Sequence, residues 1–215
     1  MESVTLHNVK SGLMESEVLH RWLPMLALLL AMVLWGSSFV ALKYSFQEMH
    51  PLMVILGRMA IASLCFLPFI RSFFRMGLRR RHLLPVAAMC LCEPCLYFLF
   101  ESAALVYTTA SQAAMITTML PLMVAISAGL LLGERVSVQT VCGFAVAAAG
   151  ALWLSIGGEE TVQAPNPMLG NFLEFMAMVC AAGYTILMKR LSKELHPFFL
   201  TGLQAMAGTL FFLPV

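Results

Sequence analysis

Arg58, Glu93 and Glu101 are ionisable side chains set inside long apolar stretches, and proton or cation chemistry in a low-dielectric interior is what such a placement offers. A charged group at the centre of a membrane helix costs on the order of 2.5 to 3.5 kcal/mol, so each must find a partner or carry a function. Glu93 lies about ten residues into its apolar block, which at about 1.5 Å per residue is near the mid-plane, with no obvious cation at its level. A lone carboxyl there is expected to rest protonated, which suits a proton-coupling or cation-binding group. A neutral Glu hydrogen-bonded to a neighbouring helix is the structural alternative. Arg58 and Glu101 lie about seven and about six residues below the outer ends of their blocks and therefore share a depth. They are expected to form an intramembrane ion pair that locks two helices together, with a direct substrate contact as the other reading.

Other chemistries find no support. Cys90, Cys92 and Cys95 flank Glu93, but on a helix Cys92 and Cys95 share a face while Cys90 points elsewhere, and no His is near, so no metal is expected. The chain has no Asp, no Gly-rich phosphate loop, and no Ser or Cys with a His placed to activate it. No catalytic residues, no enzyme and no cofactor are expected.

These residues have to be positioned by membrane helices. Sixty per cent of the chain is hydrophobic and 11% charged, and the mean hydropathy is +0.87; a water-soluble domain carries roughly 25% charged residues. Apolar residues fall into blocks of the length that crosses about 30 Å of hydrocarbon as a helix. Seven are placed, near residues 25–45, 51–70, 84–105, 110–132, 137–157, 169–188 and 197–215. Backbone polar groups in lipid must bond within the segment, so the expected fold is an all-α polytopic transmembrane helix bundle. The polar residues 1–22 lack a secretory cleavage signal and are expected to stay attached as a tail. The six cysteines all fall within the blocks and give no disulfide framework.

Basic residues cluster at alternate ends of the segments. Lys10 and Arg21 precede the first, Arg71, Arg75, Arg79, Arg80 and Arg81 lie between the second and third, Arg135 follows the fourth, and Lys189, Arg190 and Lys193 follow the sixth. The opposite ends carry only Lys43, and the connection at 158–168 holds Glu159 and Glu160. The positive-inside rule makes the N-terminus and basic loops cytoplasmic. The RSFFRMGLRRRH stretch is read as this topology signal, and no nucleic-acid partner is expected.

The chain also repeats itself at an offset of 146 residues. Lys43, Glu48, His50, Pro51, Leu64, Phe66, Leu67 and Pro68 recur as Lys189, Glu194, His196, Pro197, Leu210, Phe212, Leu213 and Pro214. His-Pro is expected to open a helix in each copy, Pro suiting the first helical position. Five segments separate the starts of the two copies, so they enter the membrane from opposite faces. The repeats are therefore expected to be inverted, the construction that gives alternating access.

The residues at this point carry a resemblance. The Trp-Gly-Ser pattern at 35–37, the small-polar run YTTASQAAMITT into the fourth segment, its Pro121, and Leu-Gly-Glu-Arg at 132–135 resemble the EamA domain of the drug/metabolite transporter superfamily. The resemblance implies two five-helix repeats with both ends cytoplasmic, moving small metabolites, often outward. On it, residues 23–157 form a first EamA repeat after the tail at 1–22, 158–168 an external loop, and 169–215 the opening of a second repeat. That second repeat is expected to stop after the seventh helix, roughly 90 to 100 residues short of completion. The expected location is a bacterial-type inner membrane. Expected partners are a small-molecule substrate, the bilayer, and a second copy through helix 5 or helix 10. Gly143, Ala147 and Ala151, with Gly150, give helix 5 a small-residue face that packing within one bundle explains equally well.

Pro94 and Pro121 each remove a backbone donor and are expected to kink the third and fourth segments at mid-membrane, where carriers place their substrates. Further expected cavity residues beside Glu93 are Trp35, Ser37, Ser38, Gln112, Thr118, Tyr184 and Thr185, with interhelical packing as the alternative for the hydroxyls. The expected function is an integral membrane exporter of amino-acid-like or drug-like solutes. A non-transporting scaffold or sensor, and a membrane-embedded enzyme, are the other readings of an apolar bundle.

Overall fold

The computed structural model describes residues 2–71, 78–133 and 135–214, with side chains from Trp22 onward. Expectations resting on Arg75 or Glu134, or on the side chains of Lys10 and Arg21, lie outside the described residues. The chain is all-α. Its helices are α1 (Glu2–Ser45), α2 (Pro51–Phe66, continued by a short 3-10 turn at Leu67–Phe69), α3 (Arg80–Cys90), α4 (Tyr97–Tyr107), α5 (Ala110–Thr117), α6 (Leu120–Leu132), α7 (Val138–Ile156), α8 (Pro167–Leu191) and α9 (Pro197–Phe212). Among the described residues the one β-type pairing is an isolated bridge from Thr161 to Ala164.

Six helical stretches among the described residues are long and apolar enough to cross a membrane: Trp22–Ser45, Pro51–Phe69, Arg80–Tyr107, Ala110–Leu132, Val138–Ile156 and Pro167–Leu191. The protein is thus an integral membrane protein. The expected seventh full span over 197–215 is corrected to a shorter apolar helix of 16 residues, about 24 Å long. It stops at Phe212, two residues before Pro214, which has no amide to carry the helical hydrogen-bond ladder on.

Local chemistry sets the boundaries. Pro51 and Pro197 open α2 and α9 after His50 and His196. Side-chain oxygens of Thr109, Ser137 and Asn166 accept from the amides of Gln112, Thr140 and Leu169 and cap α5, α7 and α8.

Two spans are broken rather than continuous. The third divides at π-helical residues Leu91–Leu96, where Glu93 takes the extended conformation (φ −144°, ψ 122°) that the following Pro94 imposes; the Glu93–Pro94 peptide is cis. The fourth divides at Thr118–Met119. There the amides of Thr118 and Met119 bond the carbonyls three residues back, at 3.2 and 3.0 Å, and Pro121 sits in the first turn of α6.

Residues Met1–Val40 and Ala41–Val215 form two compact units. The first is most of α1, whose Ser37 and Ser38 hydroxyls donate to the carbonyls of Leu34 and Trp35 one turn back, at 3.0 and 2.7 Å. In the second unit α8 is central, packing on α3, α4, α5, α6, α7 and the π-helical break. Gly170 permits the close approach of α8 to the end of α4, since a Cβ there would stand 2.6 Å from Thr108 Cβ and 2.7 Å from its amide nitrogen.

The shorter α9 crosses α2 and the break. The crossing is antiparallel: Phe66 and Phe69, at the end of α2, put their rings 4.9 and 5.0 Å from that of Phe198 at the start of α9, while Met59 lies beside Gly208 near the far end of α9. The Ser63 and Thr209 hydroxyls, each in the last turn of its helix, share a hydrogen bond of 2.8 Å. Thr209 Oγ1 also lies 3.0 Å from Ala205 O.

Candidate functional site

The break in the third span exposes backbone that a continuous helix would satisfy. Glu93 is half-buried, and its freed carbonyl accepts from Gln204 Nε2 of α9 at 3.1 Å. Gln204 Oε1 in turn accepts from the Tyr184 hydroxyl of α8 at 3.3 Å. Pro94 is buried against α9, where a Cβ on Gly208 would stand 2.6 Å from Pro94 Cγ. Three elements therefore converge at the interruption, held by one amide side chain.

A second polar cluster lies within electrostatic range of it. Glu101 on α4 and Glu174 on α8 are both fully buried, and Tyr97 is close enough to feel Glu93, Glu101 and Glu174 together. The Tyr97 hydroxyl donates to Glu101 Oε1 at 2.7 Å. Arg58 of α2 brings Nη1 to 3.8 Å from Glu101 Oε2, an ion pair longer than a hydrogen bond, and its guanidinium carbon stands 4.8 Å from the Phe98 ring centroid. Thr117 Oγ1 lies 3.0 Å from Glu174 Oε1 and also 3.0 Å from Ala113 O. Arg58 Nη1, Glu101 Oε2 and Glu174 Oε2 are buried with no hydrogen-bond partner among the described residues.

Of the residues singled out from the sequence, the structure brings together Glu93, Pro94 and Tyr184 at the break, and Arg58 with Glu101 beside it. Others stand apart from these contacts. Thr118 is exposed and donates to Met115 O at 2.6 Å, and Thr185 donates to Ala181 O at 2.8 Å. Gln112 receives a 2.6 Å hydrogen bond from the Thr108 hydroxyl, which also reaches Asn171 Oδ1 at 2.8 Å. Pro121 is exposed. Trp35 and Ser38 are half-buried and Ser37 is exposed on α1. Among the described residues no three His, Cys, Asp or Glu side chains converge, and Cys90, Cys92 and Cys95 are free thiols.

Sequence reasoning missed Glu174, Tyr97, Thr117 and Gln204. For Glu174 the signal was present, a carboxyl inside the apolar block 169–188. Gln204 and Thr117 carry no such signal, because neutral polar residues are common in membrane helices. An apolar cleft of about 380 Å³ lies elsewhere, among Phe144, Ala151 and Leu152 of α7 and Phe172 and Phe175 of α8, and none of the expected cavity residues lines it.

The ends of the second unit are tied by charge. Lys43 Nζ donates to the carbonyls of Leu105, Thr108 (2.8 Å) and Gln163 (2.6 Å), gathering the end of α4 and the 158–166 connection. At the opposite end Glu194 Oε2 pairs with Arg81 Nη2 and with His82 Nε2 at 2.9 Å. The hydrogen bond from His82, with the Arg81 charge, holds the exposed Glu194 carboxyl below its ordinary value of 4.5.

Comparison with known proteins gives one family. The profile of the EamA-like transporter family matches residues 22–156. An uncharacterized transporter of Archaeoglobus fulgidus is 26% identical over 185 residues, covering 86% of this chain and 64% of the relative. The uncharacterized transporter YcxC of Bacillus subtilis is 24% identical over 179 residues, 82% of this chain and 57% of the relative. The chain thus spans less than two thirds of the length of these relatives. No solved structure matches.

Proposed function

Since this chain belongs to the EamA-like transporter family, we propose that the complete protein exports a small amino-acid-like or drug-like solute by alternating access between inverted repeats. Its setting is a bacterial-type inner membrane with the N-terminus cytoplasmic. The observation that carries this reading is the crossing of α2 and α9. Ser63 and Thr209, which hydrogen-bond to each other, stand 146 residues apart, the offset of the sequence repeat. Antiparallel helices that meet at equivalent residues are what a two-fold axis in the membrane plane requires, and such an axis supplies two equivalent arrangements, one open to each side.

The solute site is the break around Glu93. Interrupted helices at membrane depth present backbone groups to a bound solute, and Glu93 adds a carboxyl suited to a cationic or amino group. Gln204 and Tyr184 hold the interruption open, and Gln112, Thr118 and Thr185 of the second unit are assigned to the walls of the path. The basic loops support the orientation. The fifth span, α7, or the tenth helix that the family resemblance implies for the complete protein, is assigned as the dimer surface.

The test is counterflow in proteoliposomes of the full-length protein, using radiolabelled neutral amino acids and, separately, tetraphenylphosphonium. Solute accumulation above protein-free liposomes is expected for one probe class. Gln204→Leu, which leaves the Glu93 carbonyl without its donor, is expected to lower it by roughly fivefold or more. Accumulation no greater than in empty liposomes for either class would overturn the carrier reading.

A further inference from the structure

Glu174 is the buried carboxyl for which the carrier reading has no use. It is fully buried on the central helix, yet Arg58, the cation of this cluster, is engaged with Glu101. Charge and hydrogen bonding separate the two acids. Glu101 has the Tyr97 hydroxyl donating to one oxygen and the Arg58 guanidinium facing the other, partners that both favour a carboxylate. Among the described residues Glu174 has one hydrogen-bond partner for its two oxygens, the hydroxyl of Thr117.

That hydroxyl has one proton and two oxygens within 3.0 Å, Ala113 O and Glu174 Oε1. The backbone carbonyl can only accept. When Thr117 donates to Ala113 O, the Thr117–Glu174 contact is a hydrogen bond only if Glu174 Oε1 carries the proton and donates. An ionised Glu174 would instead hold a full charge in the protein interior on a single neutral hydrogen bond, within range of charged Glu101. The neutral acid leaves only a carbonyl oxygen unpartnered, a far smaller penalty.

We propose that Glu174 is a proton-binding site, loaded as a carboxylic acid against Thr117 while Glu101 stays charged between Tyr97 and Arg58, and that H+ held there is the ion coupled to transport. The coupling rests on the carrier reading; the proton site does not. Loading converts the carboxylate and one H+ into the acid, and the Thr117 hydroxyl turns from Glu174 to Ala113 O as it does so. The ionisable groups on the elements packed against α8 are Arg80, Arg81, His82 and Cys90 on α3, Cys92, Glu93 and Cys95 at the break, Tyr97, Glu101 and Tyr107 on α4 and Cys142 on α7, with Cys180, Tyr184, Lys189 and Arg190 on α8 itself, and Arg58 of α2 joins them through Glu101. Glu101 opposes loss of the Glu174 proton, and displacement of Arg58 from Glu101 toward Glu174 would release it.

The experiment uses the full-length protein in liposomes, with the proton itself as probe. Infrared difference spectra between acid and alkaline buffer are expected to show a protonated-carboxyl C=O band that disappears in Glu174→Gln and shifts in Thr117→Val, which keeps the acid and removes its hydroxyl partner. Transport of the amino-acid or tetraphenylphosphonium probe is expected to vary with pH in the wild type and to lose that dependence in Glu174→Gln. A band unchanged in both variants would overturn the proton site, and if Glu174→Gln does not fold, the Thr117→Val shift decides alone. A pH profile that survives Glu174→Gln, with the band gone, would overturn the coupling. A wild type that shows the band and moves neither probe would overturn the carrier reading and the coupling with it, leaving the proton site standing.

Discussion

Arg58 and Gln204 occupy the same position in the two copies of the repeat, 146 residues apart, and both reach across to the broken third span: Arg58 toward Glu101 Oε2 at 3.8 Å, Gln204 to the Glu93 carbonyl at 3.1 Å. One position thus supplies a cation on one helix and a neutral amide on its counterpart. Each is matched to what it meets, a buried carboxyl in the first case and a carbonyl released by Pro94 in the second.

Breaking the first of these contacts is expected to be costly in one direction and mild in the other. Arg58→Gln leaves Glu101 buried without its cation and is expected to destabilise by about 3 to 5 kcal/mol. Arg58→Gln with Glu101→Gln removes both charges and is expected to recover most of that loss. Thermal unfolding of the two single variants and the double variant in detergent measures the coupling; additive losses would show that the pair is not the relevant contact.

Gly208→Ala is expected to destabilise by about 1 to 3 kcal/mol, because the new methyl would stand 2.6 Å from Pro94 Cγ and 2.7 Å from Met59 Sδ. Pro94 is a rigid ring, so α9 must move away from the break. Gly36→Ala, with open space around the added Cβ, serves as the control and is expected to shift the midpoint little.

The tie of Glu194 to His82 and Arg81 is expected to show as acid sensitivity. The carboxyl is held below its ordinary value in the folded protein, so the folded state binds that proton more weakly than the unfolded chain does. The tie therefore contributes fully above the unfolded value and is lost as pH falls through the lowered folded value. Glu194→Gln is expected to flatten the stability profile in that acid window and leave the slope near neutrality alone, as followed by unfolding midpoints across pH.

Lys43→Met is expected to loosen the connection at 158–166, since one ammonium holds the carbonyls of Leu105, Thr108 and Gln163. Faster amide hydrogen exchange confined to that connection and the end of α4 is the expected result. Unchanged protection would show that the isolated bridge between Thr161 and Ala164 holds the turn without it.

Hydropathy and punctuation decided much of this protein from the sequence alone. Backbone groups in lipid have no solvent to bond, so each long apolar block had to be a helix, and the helices lie where the blocks do. The two His-Pro steps open α2 and α9, because proline's fixed φ and missing amide suit a first helical turn. The Trp-Gly-Ser and Leu-Gly-Glu-Arg motifs carried the family, and the match over residues 22–156 agrees. Tertiary structure decided the partners. Glu174 meets Thr117, and Gln204 meets the Glu93 carbonyl, only because α8 and α9 fold back against the fourth and third spans, from residues 57 and 111 positions away. Periodicity gives the face of a helix, but the neighbour that face meets, and hence whether a buried acid keeps its charge, depends on packing between segments that no local pattern encodes.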